Sequence, residues 1–288
     1  MGDFSAEWLA RREDADRRAR SWALSRMVGG ALTGAAPVRI VDLAAGTGAN
    51  FRYLADALPA VQRWTLADRD EELLATVPRL VDVWAAARGA MSSRTPDGTL
   101  VRDGARTIDV RTRSIDLTNL ADAALFERAE LVTASALLDL VSSAWLEALA
   151  SQCGRFGTPL LFALTYDGRM RCRPAAPEDE MVRTLINEHQ RTDKGFGPAL
   201  GPSACDAARE ALGRHGYAVH TADSDWLLDS SEPALQAELI EGWAAAASIM
   251  APREAAPIET WRVRRRRYVE AGVSEILVGH QDMAALRS

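Results

Sequence analysis

The spacing of hydrophobic residues changes along this chain in a way that separates helices from strands. Over residues 4 to 28, Trp8, Leu9, Trp22, Leu24 and Met27 recur among charges, which predicts one or two amphipathic helices ahead of the first strand. Arg39-Ile40-Val41-Asp42-Leu43 is an apolar run of the kind that is covered on both faces of a parallel sheet. Asn50 to Leu58 reads as a crossover helix stopped near Pro59, and Trp64 to Ala67 as the second strand. Asp70 to Arg88 reads as a helix interrupted or bent around Pro78. Strand-forming residues flank Asp103-Gly104 over Thr99 to Val110, the composition of a hairpin whose second arm is the third core strand.

Further on, Leu131 to Ala134 reads as a fourth strand and Ala144 to Cys153 as a helix. Pro159 to Leu164 reads as a fifth strand running into Thr165-Tyr166-Asp167-Gly168. A helix is expected within Arg171 to Gln190, then a Gly- and Pro-rich loop from Arg191 to Pro202, then a helix capped by Ser203 and reaching about His215. Tyr217 to Thr221 is the sixth strand and Ser274 to Val278 the seventh, with some fifty mostly helical residues between them. Regular strand-helix alternation specifies an α/β fold. The expectation is a doubly wound, mostly parallel seven-stranded sheet with N-terminal helices and a helical insertion between the last two strands. No Ser- or Gly-rich linker isolates the segment Ser224 to Gly272, so it is expected as a lobe beside the sheet.

The chemistry begins where the first strand ends. Gly46 and Gly48 in Ala44-Ala45-Gly46-Thr47-Gly48-Ala49-Asn50 remove side chains that would hold a ligand away from the backbone, as in a nucleotide site. The dinucleotide fingerprint G-x-G-x-x-G would need glycine where this chain has Phe51. Asp42, at the carboxyl end of the strand, repels phosphate and suits an ammonium group, directly or through water.

Val41-Asp42-Leu43-Ala44-Ala45-Gly46-Thr47-Gly48 resembles the first motif of class I S-adenosylmethionine-dependent methyltransferases, with three further motifs in family order. Leu66-Ala67-Asp68-Arg69-Asp70 ends the second strand with an acid, and the resemblance makes Asp68 the carboxylate that holds both ribose hydroxyls. Ser114-Ile115-Asp116-Leu117 resembles the third motif, whose acid or neighbouring backbone meets the adenine amino group. Leu131-Val132-Thr133-Ala134-Ser135-Ala136-Leu137-Leu138-Asp139 resembles the fourth, which floors the methyl-transfer pocket. The resemblance spans roughly residues 38 to 166 and implies S-adenosyl-L-methionine as cofactor and S-adenosyl-L-homocysteine as product. Asp42, Ala44, Gly46, Thr47, Gly48 and Asn50 from the first motif are the expected cofactor contacts. Asp68 and Arg69 from the second, Asp116 and Leu117 from the third, and Thr133, Ala134 and Ser135 from the fourth complete the set.

On this reading residues 1–288 form a single methyltransferase domain. Residues 1–30 are a helical cap, 38–166 the cofactor-binding core, 167–202 a substrate loop or lid, and 203–288 a C-terminal part with the insertion at about 224–272. Methyl transfer depends mainly on in-line positioning, and an acid-base group matters when the acceptor is a hydroxyl or a protonated amine. His189 before the glycine-rich loop, Lys194 within it and Tyr166 at the end of the fifth strand are the catalytic candidates. Asp193 and Lys194 suit a charged substrate or each other, and Phe196 belongs to a loop shaped to close over ligand. Asp139, four positions after Ser135, is a further substrate candidate if a helical turn puts both on one face. Thr133-Ala134-Ser135-Ala136 stands where amino-group methyltransferases of DNA, and of some RNA and protein substrates, carry Asn or Asp followed by Pro-Pro and an aromatic, which disfavours that subclass.

Composition adds three points. A net charge of -6 argues against general nucleic-acid binding despite the basic run Arg262-Val263-Arg264-Arg265-Arg266-Arg267, for which a solvated helix face is the plainer reading. Of 34 basic residues one is lysine, Lys194, which marks its loop. Cys153, Cys172 and Cys205 fit neither a disulfide framework nor a zinc cluster, and no metal site is expected. The start Met1-Gly2-Asp3-Phe4-Ser5 lacks a secretory apolar core and no apolar run approaches spanning length, so a cytoplasmic monomer or homodimer without membrane partner is expected. Methyl transfer to an O- or N-nucleophile of a small molecule is the primary reading. A methyltransferase of RNA or protein, a non-catalytic cofactor-binding module and, less well matched, a nicotinamide dehydrogenase are the alternatives.

Overall fold

In the computed structural model, residues 5–32, 37–120 and 123–287 are described; the first four residues of the expected N-terminal cap lie outside them. The central strands β1 (Val38–Leu43), β2 (Val61–Asp68), β5 (Arg106–Ser114), β6 (Leu131–Ser135) and β7 (Leu160–Arg173) are parallel, in the order β5-β2-β1-β6-β7. Antiparallel strands extend both flanks. β3 (Met91–Thr95) and β4 (Gly98–Asp103) precede β5 in a meander, while β10 (Glu275–Arg287) pairs with β7, β8 (Tyr217–Asp223) and β9 (Trp226–Leu228). The sheet therefore has ten strands where seven were expected, and it is parallel only in its centre. The expected seven are all among the ten; β3, β4 and β9 are additional. β3 has no apolar alternation, and β9 is three residues long, so neither carries a readable period.

Alternation along β1 explains the double winding. Ile40 joins Trp64, Leu66, Leu24 and Val28 beneath α2 (Trp22–Ala31), α3 (Ala49–Leu54) and α4 (Glu71–Ala87). Val41 and Leu43 join Val132, Phe162, Leu146 and Leu212 on the opposite face, under α5 (Ala123–Phe126), α6 (Ser143–Phe156) and α8 (Ala204–Arg214). A third apolar cluster joins α1 (Ala6–Ala19), α7 (Asp179–Gln190), α9 (Pro233–Met250) and α10 (Ala255–Glu270) to the extended arms of β7 and β10.

Several boundaries differ from the sequence expectation for identifiable reasons. α3 stops at Leu54, and the Ala55 carbonyl, which has no amide to meet at Pro59, accepts instead from Gln62 Nε2 at 2.8 Å and Arg106 Nη1 at 2.7 Å. α4 runs unbroken through Pro78, its buried stripe Leu74, Val77, Val81 and Ala85 holding it on the sheet against the loss of one hydrogen bond. β7 extends to Arg173 because β10 pairs with it along both arms, past two register shifts. Ser203 occupies the N-cap position of α8, yet its hydroxyl donates to the Leu200 carbonyl at 2.7 Å and caps nothing.

The basic run on α10 is bound within the fold. Arg265 is fully buried and ion-paired to Asp179 at the start of α7, and it also donates to the Pro174 carbonyl at 2.6 Å. Arg262 and Arg266 pair with Glu241 of α9, and Arg264 with Glu178.

Candidate functional site

The turn after β1 is tight: Gly48 N donates to the Ala45 carbonyl at 2.8 Å, and Gly46 and Gly48 both have positive φ. The two glycines serve different ends. A Cβ on Gly46 would approach Leu9 and Leu73, whereas one on Gly48 would meet Leu66 beneath the turn, so Gly48 permits packing and not ligand approach. Phe51 is fully buried edge-on to Trp64 and Trp84 at 5.2 and 5.1 Å, a core role that a third fingerprint glycine would leave as a cavity.

Above this turn opens a cleft of about 1140 Å³, its solvent-open mouth included. It lies at the carboxyl ends of the parallel strands, where ligands of open α/β sheets are received. The first motif contributes Ala44, Gly46, Thr47 and Asn50 to its wall, the second Asp68 and Arg69, the third Asp116 and Leu117, and the fourth Ser135. Among the described non-glycine residues, positive φ occurs at Ala44, Ala136 and Leu164, and the first two line this cleft. Strain of this kind persists where the surroundings impose it, and functional sites are its usual location.

Four expected cofactor residues do not line the cleft. Thr133 and Ala134 are buried in β6, Thr133 Oγ1 donating to the Leu161 carbonyl at 2.7 Å. Gly48 faces the packing below, and Asp42 is fully buried behind Asn50, whose Nδ2 donates to Asp42 Oδ1 at 2.6 Å and to Thr133 Oγ1 at 3.2 Å. That arrangement leaves Asp42 Oδ2 and Asn50 Oδ1 buried without partners. Burial pushes the Asp42 carboxyl up to about 7, with the Asn50 hydrogen bond and Arg20 acting in the opposite direction.

Beside this group, a side pocket shares Asp16, Ala49, Asn50 and Ser135 with the cleft and is also lined by Arg20 and Tyr53. The Arg20 guanidinium lies 4.0 Å from the Tyr53 ring centroid, and its buried Nε is unpartnered. Asp68 has a different setting: its Oδ2 accepts from Gly46 N at 2.8 Å and its Oδ1 from Asp70 N at 3.0 Å, which ties the end of β2 to the glycine turn.

The remaining wall comes from residues that local sequence did not single out. Leu9, Arg12 and Asp16 of α1 close one side, with Arg12 and Asp16 paired and Trp226 Nε1 donating to Asp16 Oδ1 at 3.0 Å. α1 is held down by Arg52, which is ion-paired to Glu13 at 2.6 Å and donates to the Thr47 carbonyl at 2.7 Å. Leu73, Ile115, Leu137 and Leu140 add an apolar surface. The sequence signal for α1 was only its Trp8 and Leu9 stripe, which marks a packed helix and not what it covers.

The proposed catalytic and substrate residues lie mostly apart from the cleft. Tyr166 OH donates to Asn187 Oδ1 at 2.7 Å, and burial raises its pKa. Lys194 Nζ donates to the His189 carbonyl and to Thr192 Oγ1, both at 2.9 Å, and lies 3.3 Å from His189 Nδ1. Burial lowers the pKa of both Lys194 and His189, and the Lys194 charge adds to the effect on His189. Asp193 does not pair with Lys194; its Oδ1 accepts from Gly195 N at 2.6 Å and Gly197 N at 3.1 Å and so shapes the loop. Asp139 sits in a 3-10 turn, Leu138–Leu140, not on an α-helical turn with Ser135. It is buried with Oδ1 unpartnered, and desolvation pushes its carboxyl up to about 6. Phe196 alone of this group lines the cleft.

Among the described residues no cluster of three or more His, Cys, Asp or Glu is placed to hold a metal, and no helix is long and apolar enough to cross a membrane. No protein-family model and no curated protein matches the chain. Solved structures to which it is similar include methyltransferases and cyclopropane synthases. A methyltransferase from Geobacter sulfurreducens in complex with S-adenosyl-L-homocysteine is 15% identical, with 96% of this chain and 98% of that chain covered, at a TM-score of 0.45. A cyclopropane synthase from Mycobacterium tuberculosis is 11% identical over 92% and 83%, at 0.46. Geranyl diphosphate C-methyltransferase from Streptomyces coelicolor, in complex with Mg2+, geranyl diphosphate and S-adenosyl-L-homocysteine, is 12% identical over 92% and 77%, at 0.43.

Proposed function

We propose that this chain is an S-adenosylmethionine-dependent methyltransferase acting on a small-molecule acceptor. The observation that carries the reading is the set of opposed, unpartnered groups at the foot of the glycine turn. Asn50 Oδ1, an unpartnered buried acceptor, and Arg20 Nε, an unpartnered buried donor, belong to residues that line the side pocket, and Asp42 Oδ2 lies unpartnered behind Asn50. Leaving such groups unpaired costs about 1–3 kcal/mol each, more for charged ones, and an α-ammonium next to an α-carboxylate satisfies both signs at once. A nicotinamide dinucleotide offers no such pair.

The rest of the cleft fits the other end of the same ligand. Asp68, already fixed by the Gly46 and Asp70 amides, has lone pairs left for ribose hydroxyls. Ile115, Leu117, Leu137 and Leu140 provide the apolar wall that a purine requires, with Asp116 at its edge. The bound cofactor supplies an electrophilic sulfonium methyl. The chain's own contribution is positional: Ser135 and strained Ala136 form the floor where that methyl would lie, and α1 with Leu9 and Arg12 keeps water from one side. His189 and Lys194 are proposed to assist an acceptor that must lose a proton, with the buried Asp139 carboxyl acting on Lys194.

Calorimetric titration with S-adenosylmethionine, S-adenosylhomocysteine and NAD, each alone, tests the assignment. Binding of both adenosyl ligands and not NAD is the expected result. Binding of NAD without either adenosyl ligand would overturn it.

A further inference from the structure

Phe196 stands out because it reaches the cofactor cleft from a loop about eighty residues downstream of the third motif. Its ring lines the cleft and lies edge-on to Trp145, with centroids 5.7 Å apart and planes at 73°. Trp145 Nε1 donates to the carbonyl of Leu117 at 2.6 Å, and Leu117 is part of the apolar wall described above. A continuous path therefore runs from the loop through two aromatic rings to the third-motif backbone. The loop is held by its own contacts and by the fold beneath it. Asp193 Oδ1 holds its Gly195 and Gly197 amides, Asp193 bridges to Pro198, and Leu200 N donates to the Val141 carbonyl at 2.8 Å.

We infer that Phe196 is a purine-contacting residue, and that bound cofactor adds this contact to those already holding the 193–202 loop. The inference rests on the methyltransferase reading. A partly buried aromatic ring at the edge of an otherwise aliphatic cleft gains a stacking or edge contact when a purine enters, and the loop that carries it also carries Lys194. The coupling is reciprocal: a loop that gains a contact from the cofactor must in turn hold the cofactor more tightly.

Two measurements on the full chain test this. In calorimetry, Phe196→Ala is expected to weaken S-adenosylhomocysteine and adenosine by the same factor, about tenfold from one lost base-aromatic contact. Phe196→Trp, which keeps a ring, is expected to retain affinity, and this separates the ring's contact from damage to the loop. The chain's one lysine supplies the second readout. Acylation of Lys194, followed by peptide mass, is expected to slow when saturating S-adenosylhomocysteine is added to the wild type and to be unchanged by adenosine-site ligand in Phe196→Ala. Wild-type affinity in Phe196→Ala, or Lys194 acylation indifferent to ligand in the wild type, would overturn the inference and leave the methyltransferase reading standing. Absence of adenosyl binding to the wild type would remove both.

Discussion

Asp42 is a charge placed where charge is costly, and its behaviour with pH follows from that placement. Its native pKa, pushed up to about 7, lies above the ordinary 3.8, so the native state holds a proton that the unfolded chain releases. The ligand-free protein should accordingly lose stability as pH rises from about 4 to about 7, the window between the two values. Asp139, pushed up to about 6, acts in the same sense. Buried His280 is lowered to about 3 and acts in the opposite sense below its ordinary 6.5. Comparison with Asp42→Asn isolates the first effect: thermal melts at a series of pH values should show the wild type losing ground to the variant as pH rises. Ligand affinity should move the other way. An ammonium prefers the ionised carboxylate, so S-adenosylhomocysteine should bind the wild type more tightly at pH about 7.5 than at about 5.5, and Asp42→Asn should flatten that rise. At Asp68, substitution by Ala removes both the proposed ribose contact and the anchor of the Gly46 amide. Weakening of S-adenosylhomocysteine by about tenfold or more is expected in calorimetry, in keeping with charge-assisted hydrogen bonds. The place of Asp68 on the cleft wall could be read from the sequence because it ends an apolar strand beside its own motif, whereas the burial of Asp42 behind Asn50 could not. Arg20 could not, since its meaning comes from α1 and α2 folding back over residues thirty positions away.

The element that decides access to the cleft is α1. Its Leu9 lies over Gly46, and the Glu13–Arg52–Thr47 chain ties it to the turn it covers. Because a fixed helix would seal part of the cleft, ligand exchange should depend on how firmly that tie holds. Glu13→Gln keeps the side chain's shape and removes its charge. Faster release of S-adenosylhomocysteine, by about three- to tenfold in stopped-flow measurements, is expected with little change in thermal stability, since Arg52 keeps its bond to the Thr47 carbonyl. An unchanged off-rate would make α1 a fixed wall. The parallel strands were legible as elements because burial on both faces leaves continuous apolar runs such as Ile40-Val41 and Leu160-Leu161-Phe162. β3 was illegible because a five-residue edge strand of Met, Ser, Ser, Arg and Thr needs only one neighbour and buries little. The length of β7 and β10 was illegible for another reason: it is set by their mutual pairing, with no local signal beyond Val278.

At the scale of the molecule, charge is used to assemble the C-terminal helices onto the sheet. The run at 262–267 looks like a nucleic-acid footprint in one dimension, but in three Arg262, Arg264, Arg265 and Arg266 face acids contributed by α9, by α10 itself and by Glu178 and Asp179 at the start of α7. Arg265 is the extreme case. It has no exposed surface, and Asp179, which holds it, also accepts from Trp261 Nε1 at 2.8 Å and from Ala176 N at 2.8 Å. Replacing Asp179 by Ala would strand a buried guanidinium, which costs about 3–5 kcal/mol. For a chain of this size that corresponds to a fall of about 5–8 °C in Tm. S-adenosylhomocysteine affinity at a temperature where the variant remains folded should be unchanged, because none of these residues lines the cleft. An ion-pair network that served to bind RNA would give the opposite pattern, with stability spared and a steep salt-dependent affinity lost.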